Sequence, residues 1–165
     1  MSNFTRRLFI FIPFASIINF ILRPERVFAS SKDSQENWSL SKSEWNDKLS
    51  PEVFNILREE GTERPFSSPL NNEKRKGTFY CAGCNQALFL SEYKYDSGTG
   101  WPSFWQSINS AIETKIDFKL IVPRTEYHCS RCGGHQGHVF NDGPQPTGKR
   151  YCNNGLCLVF IPRVK

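Results

Sequence analysis

The sequence predicts a mainly β domain preceded by two short helices, and three observations lead to this prediction. From Thr78 onward, short aromatic and β-branched runs alternate with Gly, Pro, Asn and Asp, which favours an antiparallel β domain over a helical bundle. Upstream of these runs, residues 43–49 are typical of a short helix, and Ser50, Pro51 and Glu52 form a typical start of a second one. Two Cys-x-x-Cys pairs lie within the β-rich part, which indicates a fold stabilised by a metal ion.

Chain length and net charge limit the number of domains and the kinds of partner that we expect. The chain has 165 residues, of which 38% are apolar and 22% charged, enough for one domain of ordinary size. The formal net charge is +5, but residues 1–29 carry +3, so the rest of the chain carries only +2. This small excess differs from the strongly basic footprint of nucleic-acid-binding proteins. We therefore expect no nucleic acid among the partners.

Residues 1–29 have the three parts of a secretory signal: two arginines, an apolar run from Leu8 to Leu22, and Ala29 at a candidate cleavage site. The apolar run is shorter than the roughly 20 residues that a membrane-spanning helix needs, which favours cleavage over a permanent membrane anchor. The paired arginines resemble a twin-arginine export signal, and ordinary secretion and organelle targeting are the alternatives. We predict export to the bacterial periplasm or a comparable space.

Two helices and five strands are predicted after this signal. The first helix spans residues 43–49, and the second begins with Ser50 as N-cap and Pro51 at its first position, and ends near Gly61. The predicted strands are Thr78–Tyr80, Ala87–Phe89, Phe118–Val122, His138–Phe140 and Leu156–Ile161. The predicted domain organisation is an export signal at 1–29, a polar linker at 30–42 and a catalytic or binding domain at 43–165.

The two Cys-x-x-Cys pairs predict one structural zinc site per chain. Zn²⁺ prefers four soft ligands at tetrahedral corners, and the four thiolates would come from Cys81, Cys84, Cys129 and Cys132. Asn85 and Gly133 follow the two pairs and tolerate the positive φ that a tight metal-binding turn needs. Two disulfides are the alternative, because an exported chain can meet an oxidising compartment. The 44 residues between the pairs indicate that the metal joins two distant hairpins.

Cys152 is the candidate nucleophile. If its segment is extended, Arg150, Cys152 and Asn154 project to the same face, and a guanidinium near a thiol favours the thiolate. His135 and His138 lie in a glycine-rich segment and are free for hydrogen bonding or proton transfer, because four cysteines already complete the zinc site. Buried structural roles are the alternative for the cysteine and for each histidine.

Three motifs in this order resemble those of the methionine-R-sulfoxide reductases, the MsrB family: Gly100–Phe104, which carries an aromatic loop, Gly134–Phe140 and Arg150–Asn154. Residues 61–66 and both Cys-x-x-Cys pairs also fit, so the resemblance covers residues 43–165. It implies two antiparallel sheets (an MsrB/Mss4-like β fold), short N-terminal helices and a structural zinc. It also implies reduction of methionine-R-sulfoxide in oxidised proteins and peptides, which is repair of oxidative damage.

The resemblance also implies a role for each site residue. Cys152 is the nucleophile and becomes a sulfenic acid when it attacks the sulfoxide. Trp101 packs against the substrate methyl group. The residues that surround and position the sulfoxide are His135, His138, Asp142, Arg150 and Asn154. A thiol reductant such as thioredoxin then regenerates the cysteine.

At one position the sequence departs from a common family pattern, because many family members carry a resolving cysteine where this chain has Thr99. Cys157 is the other candidate outside the zinc set. In one continuous strand it would lie about 16 Å from Cys152, on the opposite face. We therefore expect direct reduction by an external thiol, and resolution by Cys157 or by a zinc cysteine is the alternative.

A hypothesis from another functional class is a zinc-stabilised binding module that has the same fold and no turnover. Such a module would use the surface around Trp101 to bind a peptide. The presence of Cys152, Arg150 and His138 in their motifs favours the enzyme, since a binding module does not need that set.

Overall fold

Two antiparallel β-sheets and two short helices make up the part of the protein that the structure describes. The computed structural model describes residues 37–119 and 121–164. The predicted export signal at 1–29 lies outside these residues and stays a prediction, as does the first part of the linker. Within the described ranges, no helix has the length and apolar character needed to cross a membrane.

Both predicted helices are confirmed. They are α1 (Lys42–Lys48) and α2 (Pro51–Glu59). Ser41 and Glu44 form a reciprocal capping box at the start of α1, and the Ser50 hydroxyl accepts a hydrogen bond from the Val53 N–H at the start of α2. Glu60 follows α2 as its C-cap and adopts the left-handed conformation with φ 55°. Serine caps therefore define both helix starts, and of these the sequence predicts the cap at Ser50.

The strands form one three-stranded and one six-stranded sheet, and every pairing is antiparallel. The smaller sheet has the order β2-β1-β9, with β1 at Gly77–Cys81, β2 at Ala87–Leu90 and β9 at Leu158–Pro162. The larger sheet has the order β3-β4-β8-β7-β6-β5, with strands at Lys94–Tyr95, Ser103–Phe104, Arg150–Asn153, His135–Phe140, Arg124–Cys129 and Ile112–Asp117. The predicted mainly β fold of two antiparallel sheets is confirmed.

One predicted strand is wrong. Phe118, Ile121 and Val122 lie in the connection between β5 and β6, where all three side chains are exposed. The true strands flank them at Ile112–Asp117 and Arg124–Cys129. These strands carry polar residues on their outer face, so an apolar run does not mark them.

The predicted strand at 156–161 is also partly wrong. Residues Gly155–Cys157 form a 3₁₀ turn, and β9 begins only at Leu158. Cys157 is therefore not in the same strand as Cys152. The chain instead passes from the six-stranded to the three-stranded sheet between these two cysteines.

Aromatic side chains fill the space between the two sheets. Phe89 of β2 stacks on Phe104 of β4 with ring centroids 4.2 Å apart, and Phe79 of β1 meets the same ring edge-on at 5.0 Å. Tyr127 and Tyr151 of the larger sheet pack edge-to-face against each other beside Phe89. Because side chains alternate across a strand, the neighbours of these aromatic residues on the larger sheet project to its outer face, away from the aromatic core.

Strands β7 and β8 approach so closely at Gly137 that a side chain does not fit. A Cβ atom built on Gly137 would lie 1.9 Å from the carbonyl oxygen of Cys152. Gly137 pairs with Asn153, and the next pair along the ladder is His138 with Cys152. The glycine thus allows the close strand contact that places a histidine directly opposite the candidate nucleophile.

Candidate active site

The outer face of the six-stranded sheet carries a row of polar residues around Cys152. Ser103 on β4 pairs with Cys152 on β8, which pairs with His138 on β7, and His138 pairs with Glu126 on β6. Directly paired residues project to the same face of a sheet. The fold therefore places the candidate nucleophile between a hydroxyl and an imidazole.

A cavity of about 130 Å³ opens on this row. It is lined by residues from β6, β7 and β8 and from the adjoining loops: Thr62, Trp101, Arg124, His138, Phe140, Cys152, Asn153 and Asn154. Four of the predicted site residues, Trp101, His138, Cys152 and Asn154, thus line one cavity.

The Cys152 thiol is half-buried, and its surroundings act on its pKa in opposite directions. Burial raises the pKa above the ordinary value of a thiol, because it penalises the charged thiolate. The charge of Arg150 and a hydrogen bond from the Thr99 hydroxyl lower it. Burial has the larger effect, so the cysteine is a protonated thiol at neutral pH before substrate binds.

Arg150 and Asp142 form a bidentate ion pair at the edge of the site. Arg150 donates from Nε to one carboxylate oxygen and from Nη2 to the other, and both bonds are 2.8 Å long. The guanidinium also lies over the ring of Phe140, 4.3 Å from its centroid. Asp142 therefore acts on the site by orienting Arg150, and its own carboxylate is largely exposed.

His138 is held by a second carboxylate, which sequence reasoning missed. Its Nε2 lies 2.7 Å from Oδ2 of Asp117, and the same oxygen accepts a hydrogen bond of 2.7 Å from Arg124. Burial lowers the pKa of His138 below its ordinary value, and the Asp117 carboxylate partly opposes that shift. The imidazole is therefore neutral at neutral pH.

His135 lies behind His138 rather than in the cavity. It is buried, its Nδ1 lies 2.7 Å from the Glu126 carboxylate, and its ring meets that of His138 edge-on with centroids 5.5 Å apart. The second Glu126 oxygen lies 3.0 Å from Nδ1 of His128. The structure thus places His135 as a support for the His138 ring.

Trp101 and Asn154 are both tied to Glu63, a buried acid on the loop after α2. The indole Nε1 of Trp101 donates to the Glu63 carbonyl at 3.2 Å, and Asn154 Oδ1 accepts from the Glu63 N–H at 3.0 Å. The Glu63 carboxylate accepts from the N–H groups of Gly155 and Leu156, at 2.6 and 2.9 Å. This network fixes the Trp101 wall of the cavity relative to β8.

Cys157 lies away from the cavity. Its side chain is fully buried in the turn before β9, and burial raises the pKa of its thiol well above the ordinary value. Its carbonyl accepts a hydrogen bond from the Ala82 N–H in the turn between β1 and β2. The position of Cys157 is therefore that of a core residue of the three-stranded sheet.

The four remaining cysteines form one buried cluster. Sγ atoms of Cys81, Cys84, Cys129 and Cys132 all lie within 4.8 Å of one another. The Cys81–Cys132 and Cys84–Cys129 Sγ distances are 3.8 and 3.4 Å, too long for disulfides. A tetrahedral ion with bonds of about 2.3 Å to sulfur places its ligands about 3.8 Å apart. The donor set and its spacing therefore suit a metal ion.

The two Cys-x-x-Cys turns have the same backbone geometry. In each turn the first cysteine carbonyl accepts a hydrogen bond from the residue four positions on, which is Asn85 in one and Gly133 in the other. These two residues have φ values of 56° and 66°, so the predicted left-handed positions are confirmed. The cluster needs no distortion of either turn to bring four sulfur atoms together.

Sequence reasoning missed Asp117, Arg124 and Thr62 as residues of the site. Asp117 and Arg124 face each other across the ladder between β5 and β6, and Arg124 and Thr62 line the cavity. Only the register of β5 and β6 brings the Asp117–Arg124 pair to His138. Because the sequence predicts a strand at 118–122 instead, it does not indicate that register.

We predict that Arg150→Ala raises the pKa of the Cys152 thiol further, because the substitution removes the positive charge that favours the thiolate. The pH midpoint of Cys152 alkylation by iodoacetamide, followed by mass spectrometry of the Cys152 peptide, should move to higher pH. Lys149→Ala is the matched control, since the Lys149 Nζ contacts the exposed Asn141 instead. An unchanged or lower midpoint in Arg150→Ala would contradict this account.

Comparison with known proteins agrees with the geometry. A SelR domain model matches residues 49–162. The chain is 53% identical to a peptide methionine sulfoxide reductase MsrB of Methanosarcina barkeri over 121 residues, which cover 73% of this chain and 85% of that protein. It is 50% identical to the MsrB of Agrobacterium fabrum over 123 residues, which cover 74% of this chain and 91% of that protein.

A plant relative extends the match. The chloroplastic peptide methionine sulfoxide reductase B1 of Arabidopsis thaliana is 47% identical over 137 residues, which cover 82% of this chain and 67% of that protein. The resemblance found in the sequence motifs is thereby confirmed. The chain belongs to the SelR domain family, the family of the MsrB methionine sulfoxide reductases.

Proposed function

We propose that the protein is a peptide-methionine (R)-S-oxide reductase that converts methionine-R-sulfoxide in oxidised proteins and peptides to methionine. The observation that carries this proposal is the direct pairing of Cys152 with His138 at a cavity walled by Trp101. The names of the relatives, which are peptide methionine sulfoxide reductases, support it. A sulfoxide sulfur needs a thiolate to attack it and a proton for its oxygen, and this pair supplies both.

The first step transfers oxygen from the substrate to the enzyme. The neutral His138 ring accepts the proton of the Cys152 thiol, and the resulting thiolate attacks the sulfoxide sulfur. His138 then donates that proton to the sulfoxide oxygen. The hydroxyl so formed passes from the substrate sulfur to Cys152 Sγ, the transient S–S bond between Cys152 and the substrate breaks, and methionine leaves. Cys152 is oxidised to a sulfenic acid, so the sulfur of the substrate is reduced by two electrons.

The cavity orients the substrate for this attack. The Trp101 ring offers an apolar wall for the S-methyl group, and its indole N–H is already bonded to Glu63. Arg150, oriented by Asp142, lies beside Cys152 and supplies positive charge where negative charge develops on oxygen. Asn154 lines the cavity from the end of β8, and His135 fixes the His138 ring from behind.

Purified protein should reduce the R epimer of methionine sulfoxide in a peptide, with dithiothreitol as the reductant, and leave the S epimer untouched. Cys152→Ser should abolish this reduction while folding is retained, because the half-buried position accepts a hydroxyl. Methionine formation is followed by chromatography of the two epimers. Equal activity of Cys152→Ser would refute the mechanism, and peptide binding without turnover by the native protein would support a binding module.

An external thiol is the proposed reductant of the Cys152 sulfenic acid. The first thiol condenses with it to a mixed disulfide and releases water, and a second thiol releases the free Cys152 and a disulfide product. Cys152 opens on the cavity, whereas Cys157 is fully buried across the sheet boundary. A thioredoxin-like protein or a small thiol therefore has access to the oxidised residue, and Cys157 does not contact the cavity.

Cys157→Ala should keep multiple turnovers with dithiothreitol or thioredoxin, with a kcat within about twofold of the native value. A matched variant tests whether an internal thiol can act: Thr99→Cys places a sulfur where the hydroxyl now contacts Cys152. After one turnover without reductant, that variant should accumulate a disulfide between the introduced thiol and Cys152, as mass spectrometry of the peptides detects. A single turnover of Cys157→Ala with thioredoxin, but many turnovers with dithiothreitol, would identify Cys157 as the resolving cysteine instead.

Zinc is the proposed occupant of the four-cysteine cluster, because its four soft ligands are buried and closed to substrate. Such an ion supplies folding free energy and takes no part in the transfer of oxygen. The ligands Cys81 and Cys84 come from one hairpin and Cys129 and Cys132 from another. The ion would therefore cross-link the two sheets.

Metal analysis should find about one zinc per chain, and Cys84→Ser should lower both the zinc content and the free energy of unfolding, the latter by several kcal/mol. Cys157→Ala is the control, since this buried cysteine lies outside the cluster and should leave the zinc content unchanged. Zinc is measured by mass spectrometry and stability by urea unfolding. A metal-free chain with four oxidised cysteines would favour the disulfide alternative.

A further inference from the structure

We propose that Asp117, supported by Arg124, is a positioning residue that fixes the tautomer of His138 and so makes His138 Nδ1 the atom that moves the proton. This inference rests on the proposed function, because it assigns the proton transfer of the same site to one atom. None of the three sequence motifs contains Asp117 or Arg124. The inference comes from the geometry between β5, β6 and β7.

The Asp117 carboxylate is buried, and both of its oxygens have hydrogen-bond partners. Its Oδ1 accepts a hydrogen bond of 2.9 Å from the Lys119 N–H, and its Oδ2 lies 2.7 Å from both His138 Nε2 and Arg124 Nη2. The Lys119 N–H, His138 and Arg124 together hold the pKa of this carboxyl well below its ordinary value. Asp117 therefore stays ionised and accepts hydrogen bonds only.

An ionised carboxylate determines which ring nitrogen of His138 carries hydrogen. Since Asp117 can only accept, Nε2 must be the N–H of the neutral ring, and Nδ1 is left without hydrogen. Nδ1 is then the atom that takes the proton from the Cys152 thiol and passes it to the sulfoxide oxygen. The charge of Asp117 also stabilises the imidazolium that exists between these two transfers.

Arg124 holds Asp117 in place for this purpose. The two residues face each other across the ladder of β5 and β6, and Arg124 occupies the carboxylate oxygen that also binds His138. Arg124 also lines the cavity, so its charge is close to the reacting groups. Without Arg124, Asp117 would keep the Lys119 N–H and His138 as partners, and the effect on the tautomer would be smaller.

The titratable groups that the described part of the chain places around the His138 ring contribute to the pH dependence of its ionisation. They are Asp117 on β5, Arg124 and Glu126 on β6, His135 on β7 and Cys152 on β8. The Asp117 carboxylate raises the pKa of His138, and burial and Arg124 lower it. Loss of the Asp117 charge should therefore move the titration of His138 to lower pH.

The test combines kinetics with the nitrogen spectrum of the ring. In the full-length protein, Asp117→Asn should lower kcat for methionine-R-sulfoxide by about 10-fold to 100-fold and change KM by less than about threefold, because a proton transfer is impaired and the cavity wall is intact. The acidic limb of the pH profile should move to lower pH. Arg124→Gln should change kcat in the same direction by a smaller factor.

Lys119→Gln is the matched control on the same hairpin. The Lys119 side chain pairs with Glu60 at the surface, and the substitution keeps the backbone N–H that Asp117 accepts. This variant should have native kcat and KM. If Asp117→Asn also has native kinetics while the native protein turns over, the positioning role is refuted and the proposed function stands.

A long-range ¹H–¹⁵N correlation spectrum tests the tautomer in the native protein without any turnover. The chain has three histidines, so His138→Gln assigns the signal. Above its pKa, His138 should appear as the Nε2–H tautomer, and Asp117→Asn should give a mixture of both tautomers. An Nδ1–H tautomer in the native protein would overturn the inference whatever the kinetics, and lack of sulfoxide reduction by the native protein would refute the proposed function instead.

Discussion

The four-cysteine cluster is the constraint on which the arrangement of the two sheets depends. Cys81 ends β1 of the smaller sheet and Cys129 ends β6 of the larger one, so the cluster joins hairpins that are far apart in the chain. It also reaches the site through Gln136, whose amide donates to Cys81 Sγ at 3.4 Å and accepts from Asn153. Gly137, next to Gln136, and Cys152, next to Asn153, form the close contact between β7 and β8. Hydrogen bonds through Gln136 thus connect the four-cysteine cluster to the strands that carry the candidate active site.

Because side chains alternate across each strand, core residues project to one face of the larger sheet and residues of the candidate active site project to the other. Tyr151 points to the aromatic core between the sheets, and its neighbours Arg150 and Cys152 point to the outer face. The same division holds on β6, where Tyr127 is in the core and Glu126 supports the histidines. On the outer face, the cavity beside Cys152 is lined in part by the loops that carry Thr62 and Trp101. This placement leaves Cys152 half-buried, accessible to substrate and shielded enough to shift its pKa.

Short-range patterns in the sequence predicted the features that depend on interactions between residues close together in the chain. The cap at Ser50 predicted the start of α2, because a cap satisfies N–H groups within its own turn. Paired cysteines predicted the cluster, since each pair is complete within one turn. The strands around 112–129 were not predictable in the same way. Their outer faces carry Glu113, Lys115 and Arg124, and the apolar residues between them are exposed in a connection.

The sequence by itself determined the mainly β class, the start of α2, the four clustered cysteines and the candidate nucleophile, because each of these depends on residue types at short spacing. Only the tertiary structure decided which carboxylate holds His138 and that Cys157 belongs to a different sheet from Cys152. Asp117 is 21 residues from His138, and their contact depends on the register of three strands. Strand register arises from the packing of whole faces, which no short segment of the chain contains.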